Sequence, residues 1–228
     1  MRNVSRTAKP KTLVRNAAKW KSALLAEIKK CKGTSKEVDE KYFNRYRKKE
    51  VKESLQTMYA EKCCYCEATI TNVAFEDIEH RKPKAKNLFP HLAFEWKNLH
   101  LACPKCNNTK SNQWDKKFPI LDAVKDDVDI HLDYKVSGVG LLRWPKTNRG
   151  DTTVRHAGLD RDSLPVTRML LFGRALAAIE SMNEALEEGV DKLKLRAEAR
   201  ALQLEAKDDY GSVVTWTMEK YLVEDLMP

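Results

Sequence analysis

The chain has 228 residues, of which 42% are hydrophobic and 33% are charged, and its formal net charge is +9. This composition is typical of a globular protein that buries a core, and it excludes a disordered chain. No apolar run approaches the roughly 18 residues that cross a bilayer, and no apolar segment follows the basic N-terminus as in a secretion signal. We therefore expect a cytoplasmic protein without a membrane segment.

The positive charge is concentrated at the start of the chain. Residues 1–60 contain 17 Lys and Arg against 6 Asp and Glu, a net charge of +11. Residues 118–228 contain 15 against 20, a net charge of −5. The basic region suits a polyanion such as nucleic acid, although two well-solvated helices would have the same composition. Charge alone leaves both interpretations open.

Hydrophobic periodicity predicts helices in the first 61 residues. Residues 1–10 are basic and polar, which favours an extended arm. From Leu13 to about Cys31 apolar residues recur at spacings of three and four, as in an amphipathic helix. Gly33 is predicted to end this helix, and a second helix is predicted over residues 36–61.

One β-hairpin followed by helices is predicted in the C-terminal half. Apolar and polar residues alternate from Val128 to Val136, which indicates a strand, and a turn then leads into a second strand over Val139–Trp144. The polar segment Pro145–Asp151 is predicted to be a loop. Three helices are predicted after it, over residues 164–186, 190–207 and 212–226. Their acidic balance disfavours a nucleic-acid surface and suits either a protein partner or a helical core.

Two cysteine pairs frame the most informative part of the chain. Each pair has the spacing C-x2-C, and two such knuckles can bind one tetrahedral Zn²⁺ through four thiolates. A chain without an export signal favours this metal over disulfides. The ligand candidates are Cys63, Cys66, Cys103 and Cys106. The other two cysteines, Cys31 and Cys64, are expected to be packed thiols, although Cys64 could replace its neighbour Cys63.

The 36 residues between the knuckles predict a small module whose ends are pinned by zinc. Residues 73–78 are apolar and β-prone and end at Glu79-His80. A proline-containing loop follows, and residues 94–101 can return as a strand or a short turn. A helix is predicted to begin at the second knuckle.

This order of motifs resembles the HNH endonucleases, which have a ββα-metal fold. The resemblance is carried by Glu79-His80, by the asparagine of Trp96-Lys97-Asn98-Leu99, and by Cys106-Asn107-x2-Lys110. The chain is therefore predicted to be a mainly helical α+β protein in three parts. These are the basic arm and helices over 1–60, the zinc-framed HNH module over 61–117, and the hairpin with C-terminal helices over 118–228.

The resemblance implies a role for each matching residue. His80 would be the general base that takes a proton from the attacking water, a role that suits an imidazole near its ordinary pKa of about 6.5. Glu79 and Asn107 would bind one catalytic Mg²⁺ or Mn²⁺ through oxygen atoms. Asp77 would lie on the same face of the strand and is a rival to Glu79. Asn98 would brace the loop that carries the histidine.

Four basic residues of the module are expected to contact the nucleic acid. They are Arg81, Lys82, Lys105 and Lys110. The substrate could be DNA or a structured RNA such as tRNA, because the motif residues bind a phosphodiester and a metal, which both polymers share.

The layout of the whole chain also resembles the PtuB family, the HNH components of Septu and retron-associated anti-phage systems. This second resemblance is carried by the sequence segments at residues 63–67 and 78–86. It implies a partner, an ATPase of the PtuA type, and the chain itself contains no P-loop signature. The alternatives are a zinc-dependent nucleic-acid-binding module without catalysis and a structural subunit with a degenerate site.

Overall fold

The computed structural model of the protein describes residues 1–34, 36–70, 77–161, 163–205 and 207–228, without the side chain of Asp77. Up to residue 110 the elements are α1 (Lys11–Cys31), α2 (Glu40–Phe43), α3 (Lys49–Tyr59), β1 (Asp77–His80), β2 (Leu99–Ala102) and α4 (Pro104–Lys110). Short 3₁₀ turns lie at Pro90–Leu92 and Trp96–Asn98.

After a connection without regular structure, the chain continues with α5 (Val128–His131), β3 (Leu132–Ser137), β4 (Gly140–Pro145), α6 (Asn148–Ala157), α7 (Leu164–Glu187), α8 (Lys192–Glu205), α9 (Gly211–Tyr221) and a 3₁₀ turn at Glu224–Leu226. The mainly helical α+β class predicted from the sequence is confirmed. None of the described helices combines the length and the apolar character that a bilayer crossing requires.

The N-terminal region packs as a unit around the first helix. Helix α1 buries Leu13 and Leu24 on one face, as its periodicity predicts. Its first turn is capped from α3, because the carboxylate of Glu50 accepts the backbone N–H groups of Lys11 at 2.8 Å and Thr12 at 2.9 Å. These N–H groups have no partner within their own helix, so the contact stabilises the helix start and fixes α1 against α3.

The predicted second helix over residues 36–61 is wrong as a single element. Helix α2 ends at Phe43, and α3 begins only at Lys49. Between them Tyr46 is 2% exposed, and its ring packs edge-on against the His80 ring at 4.6 Å between centroids. The tertiary contact therefore overrides helix propensity and interrupts the helix beside the site.

The ββα module is confirmed. Strands β1 and β2 are antiparallel, with Glu79 opposite His100 and His80 opposite Leu99. All four residues of β2 are buried. Helix α4 begins at the second knuckle, where the Cys103 sulfur accepts the backbone N–H of Cys106 at 3.5 Å. Most of the β-prone run over 73–78 lies outside the described residues.

The hairpin is confirmed, but its surroundings differ from the prediction. Residues 128–131 are helical and not the start of the strand, and the predicted loop over Pro145–Asp151 contains the start of α6. Thr147 caps α6 by accepting the N–H of Gly150 at 3.1 Å. A Cβ atom on Gly150 would lie 2.1 Å from the carbonyl oxygen of His131. Gly150 is therefore a close-packing residue inside a helix and not a loop signal.

The last helix also ends earlier than predicted, at Tyr221. A large core extends from Met1 to Leu164 and joins the N-terminal helices, the ββα module and the start of the hairpin. A second core lies within α7, α8 and α9, and a small third cluster joins the hairpin to α7 and α9. The predicted boundaries at residues 60 and 117 both fall within the first core.

Candidate active site

The two knuckles bring their cysteines together in the arrangement that zinc requires. The sulfurs of Cys63, Cys66, Cys103 and Cys106 all lie within 4.8 Å of one another. The Cys66 and Cys103 sulfurs are 3.8 Å apart. Four sulfurs at about 2.3 Å from a tetrahedral zinc ion would be separated by about 3.8 Å. The donor set and its spacing therefore fit Zn²⁺ at a site with no open position.

The two remaining cysteines are packed thiols outside this cluster, as predicted. Cys64 is buried, and its backbone N–H donates to the carbonyl of Leu101 at 2.8 Å, which ties the first knuckle to β2. The half-buried Cys31 ends α1, with its sulfur 3.7 Å from the carbonyl oxygen of Glu37.

Beside the four-cysteine cluster, the ββα module forms one wall of a polar cleft of about 280 Å³. Strand β1 and helix α4 supply Glu79, His80 and Asn107, so the three residues predicted as the catalytic group line one space. The remaining lining residues are Tyr46, Arg47, Ile78, Pro83, Lys84, Asn108, Ser111 and Asn112. The N-terminal helical region thus forms the opposite side of the cleft.

The imidazole of His80 is held in one orientation. Its Nε2 lies 2.9 Å from the carbonyl oxygen of Ala93. Because a carbonyl can only accept, Nε2 carries the hydrogen and Nδ1 keeps its lone pair. The Tyr46 ring packs against the imidazole from the side. Within the described part of the chain, no group donates a hydrogen bond to Nδ1.

Burial keeps this imidazole neutral. His80 is 6% exposed. Removal from water lowers the pKa of His80 to about 3, although the bond to Ala93 acts in the opposite direction, and the nearby cations Lys84 and Lys110 lower the pKa further. The expectation of a pKa near 6.5 is therefore wrong for this buried ring, and the form present at neutral pH is the neutral one, which can accept a proton.

Glu79 is a buried carboxylate with two protein partners. It is 3% exposed, and its Oε1 accepts the Tyr65 hydroxyl at 3.1 Å and the Lys110 ammonium at 2.5 Å. Lys110 also donates to the carbonyl oxygen of His80 at 2.9 Å. The ammonium on α4 therefore fixes both neighbouring residues of β1. For Asp77, the rival ligand, only the backbone pairing with Ala102 is described.

Asn98 braces the loop after β1 by three hydrogen bonds. Its side-chain oxygen accepts the N–H of Lys82 at 2.8 Å, and its Nδ2 donates to the carbonyls of Lys82 at 3.0 Å and Leu92 at 3.3 Å. Leu92 precedes Ala93, the residue that orients His80. One buried amide therefore joins the loop to the turn that positions the imidazole.

The structure corrects the expectation that Lys110 contacts nucleic acid, because its side chain is fully buried in the pair with Glu79. Arg81 is also turned inward, since its guanidinium donates twice to the carbonyl of Ile120, at 3.0 and 2.7 Å. Lys82 lies over the rings of Phe89 and Trp114. Lys105 is exposed on α4. None of these four residues lines the described cleft.

Two cations that do line the cleft were missed in the sequence, Arg47 and Lys84. Lys84 is half-buried, and its ammonium lies about 5.5 Å from the centres of the Phe43 and Tyr46 rings. The available signal was its place four residues after His80, in the same loop. Arg47 lies in the break between α2 and α3, which a continuous helix would have hidden.

Comparison with known proteins agrees with this geometry. Residues 63–113 match the family model described as HNH endonuclease. The protein therefore carries an HNH endonuclease domain, which places it among the endonucleases.

The similarity to particular proteins extends beyond that domain. The chain is 27% identical over 227 residues to the Septu protein PtuB of Bacillus mycoides (strain KBAB4), covering 86% of this chain and 74% of the relative. It is 30% identical over 142 residues to the Septu protein PtuB of Bacillus thuringiensis, covering 60% and 52%. A retron Vc95 protein of Vibrio cholerae serotype O1 biovar El Tor is 24% identical over 153 residues, covering 64% and 74%. The resemblances seen in the sequence are thereby confirmed.

Proposed function

We propose that the protein is the nuclease component of an anti-phage defence complex and hydrolyses phosphodiester bonds of DNA or of a structured RNA such as tRNA. The observation that carries the proposal is the neutral imidazole of His80, oriented by Ala93 and lining one cleft with Glu79 and Asn107.

His80 acts as the general base in this proposal. Its Nδ1 holds a lone pair, because Nε2 donates to Ala93. A phosphodiester entering the cleft brings negative charge close to the imidazole, which raises the pKa of His80 and makes it a stronger base when substrate is bound. Asn98 and the Ala93 carbonyl are positioning groups that keep the ring in place for proton transfer.

Glu79 and Asn107 would hold a divalent cation beside this base. Carboxylate and amide oxygens are the ligands that Mg²⁺ and Mn²⁺ prefer. When bound, the cation would supply positive charge that stabilises the leaving oxygen. Because Lys110 and Tyr65 both contact Oε1 of Glu79, Oε2 is the oxygen that would bind the cation. Asp77 remains the alternative carboxylate.

Arg47 and Lys84 would bind the phosphates that flank the cleaved bond. Both residues also line a second cleft of about 430 Å³, which shares Asn112 with the first. Arg47 and Lys84 therefore lie where the two clefts meet. A nucleic-acid strand that runs from one cleft into the other would pass both cations.

The C-terminal helical region would bind the partner, an ATPase of the PtuA type. Its net negative charge disfavours nucleic acid, and α7 and α8 present exposed apolar residues, of which Leu170 is 72% and Leu193 is 73% exposed. The partner follows from the similarity to the Septu proteins PtuB. Because thiolate ligands suit a reducing compartment, we place the complex in the cytoplasm.

The test is a cleavage survey of the wild type and His80→Ala, each with and without the ATPase, on phage DNA, plasmid and tRNA in Mg²⁺ or Mn²⁺. We expect the wild type to cut one polymer and His80→Ala to cut none, with equal zinc content in both. Retained nucleic-acid binding without cleavage by the wild type would favour the non-catalytic module. A wild type that neither binds nor cuts nucleic acid would favour a structural subunit. His91→Ala, at an exposed histidine, is the matched control.

A further inference from the structure

Arg161 lies outside the segment that matches the HNH family model, yet its guanidinium faces the zinc cluster. Its Nη1 is 3.4 Å from the sulfur of Cys106, and its Nη2 is 3.9 Å from the sulfur of Cys103. Both contacts go to the second knuckle. We infer that Arg161 is a positioning residue of the zinc site, which donates N–H groups to the two thiolates and thereby strengthens metal retention.

The end of α6 also holds this guanidinium in place. Nη1 also donates to the carbonyls at the end of α6, at 3.1 Å to Ala157 and 2.6 Å to Gly158. Gly158 ends the helix with a φ of +59°, a left-handed conformation that favours glycine. A Cβ atom there would lie 3.1 Å from the Thr109 side chain on α4. The turn is therefore packed directly against the helix that carries Cys106.

Charge explains why the arginine matters. Four thiolates around one Zn²⁺ carry a formal charge of about −2 in a mostly buried site. Arg161 brings a permanent positive charge and directed donors, which lower the electron density on the sulfurs. One guanidinium contacts both sulfurs of the second knuckle, so Arg161 acts on two of the four ligands.

The inference rests on the zinc site and not on the nuclease reaction, so it is tested by metal binding. Arg161→Met removes the charge and the donors at similar length, and Arg161→Lys keeps the charge alone. Arg155→Met is the control, because Arg155 is exposed on the preceding helix, α6, and pairs with Asp151.

We expect Arg161→Met to bind zinc about 10-fold to 100-fold more weakly in competition with a chromogenic chelator, the range typical of lost outer-shell partners. Arg161→Lys should fall between it and the wild type. In the Co²⁺-substituted proteins, the sulfur-to-cobalt charge-transfer band of Arg161→Met should move to longer wavelength, since the thiolates lose hydrogen bonds. At saturating Co²⁺ this position does not depend on how much protein is folded.

Unchanged zinc affinity and an unchanged band position in Arg161→Met would overturn the role of Arg161. Failure of the wild type to bind zinc would overturn the zinc site itself. Loss of cleavage without loss of metal affinity or a band shift would also contradict the inference, because it would place Arg161 in another function.

Discussion

Lys110→Met probes the buried ion pair that joins α4 to strand β1. Lys110 is fully buried, and its ammonium is 2.5 Å from Glu79 Oε1 and 2.9 Å from the carbonyl oxygen of His80. Removing one partner of a buried pair costs about 3–5 kcal/mol, because the other charge stays buried without compensation. For a chain of this length, about 2–4 °C is lost per kcal/mol, so we expect the melting temperature to fall by roughly 6–20 °C.

The metal dependence of this loss tests the ligand role of Glu79. A divalent cation at Glu79 would replace part of the missing positive charge. Mn²⁺ should therefore restore more stability to Lys110→Met than it adds to the wild type. The double variant Glu79→Gln/Lys110→Met should recover part of the loss without Mn²⁺, because neither charge remains.

The assays are thermal and denaturant unfolding of the zinc-loaded proteins, with and without Mn²⁺. Lys105→Met is the control because Lys105 is exposed on the same helix. A loss below about 1 kcal/mol in Lys110→Met would refute the importance of the pair. A Mn²⁺ effect equal in the wild type and the variant would refute Glu79 as the ligand and leave Asp77.

Two further predictions concern the loop and the cleft. Asn98→Ala leaves partly buried backbone groups of Lys82 and Leu92 without their partner, so thermal unfolding should show a loss of about 2–4 kcal/mol. Single-turnover assays should also show slower cleavage, because His80 loses its support. Lys84→Ala should leave the melting temperature unchanged but weaken nucleic-acid binding. The slope of the logarithm of the binding constant against the logarithm of the salt concentration should fall by about one. An unchanged slope would show that Lys84 does not contact a phosphate.

The local sequence pattern was sufficient to predict those elements that depend on residues close together in the sequence. The C-x2-C spacings predicted the cysteine cluster, since each knuckle is set by its own backbone turn. The periodicities of α1 and α7 and the alternation in the hairpin predicted elements that the structure contains. The order of the motifs predicted that Glu79, His80 and Asn107 lie together, and they line one cleft. The roles given to these residues stay predictions.

Contacts between distant parts of the chain could not be predicted. Tyr46 interrupts a helix because its ring packs against His80, which is 34 positions away. Lys110 resembled a surface cation, but a buried carboxylate pairs with it. Gly150 resembled a loop residue, yet it is required by the approach of the His131 carbonyl. In each case the conformation depends on a contacting residue that is distant in the sequence. A pattern of neighbouring residues does not reveal that contact.

The central claim, that His80 is the base of a metal-dependent phosphodiesterase, is tested most directly by single-turnover cleavage in Mn²⁺. The wild type and His80→Ala would be compared at equal zinc content and on the polymer that the wild type cuts. We predict a rate about 10²- to 10⁴-fold lower for His80→Ala, the range lost with a general base. Equal rates for the two proteins would contradict it.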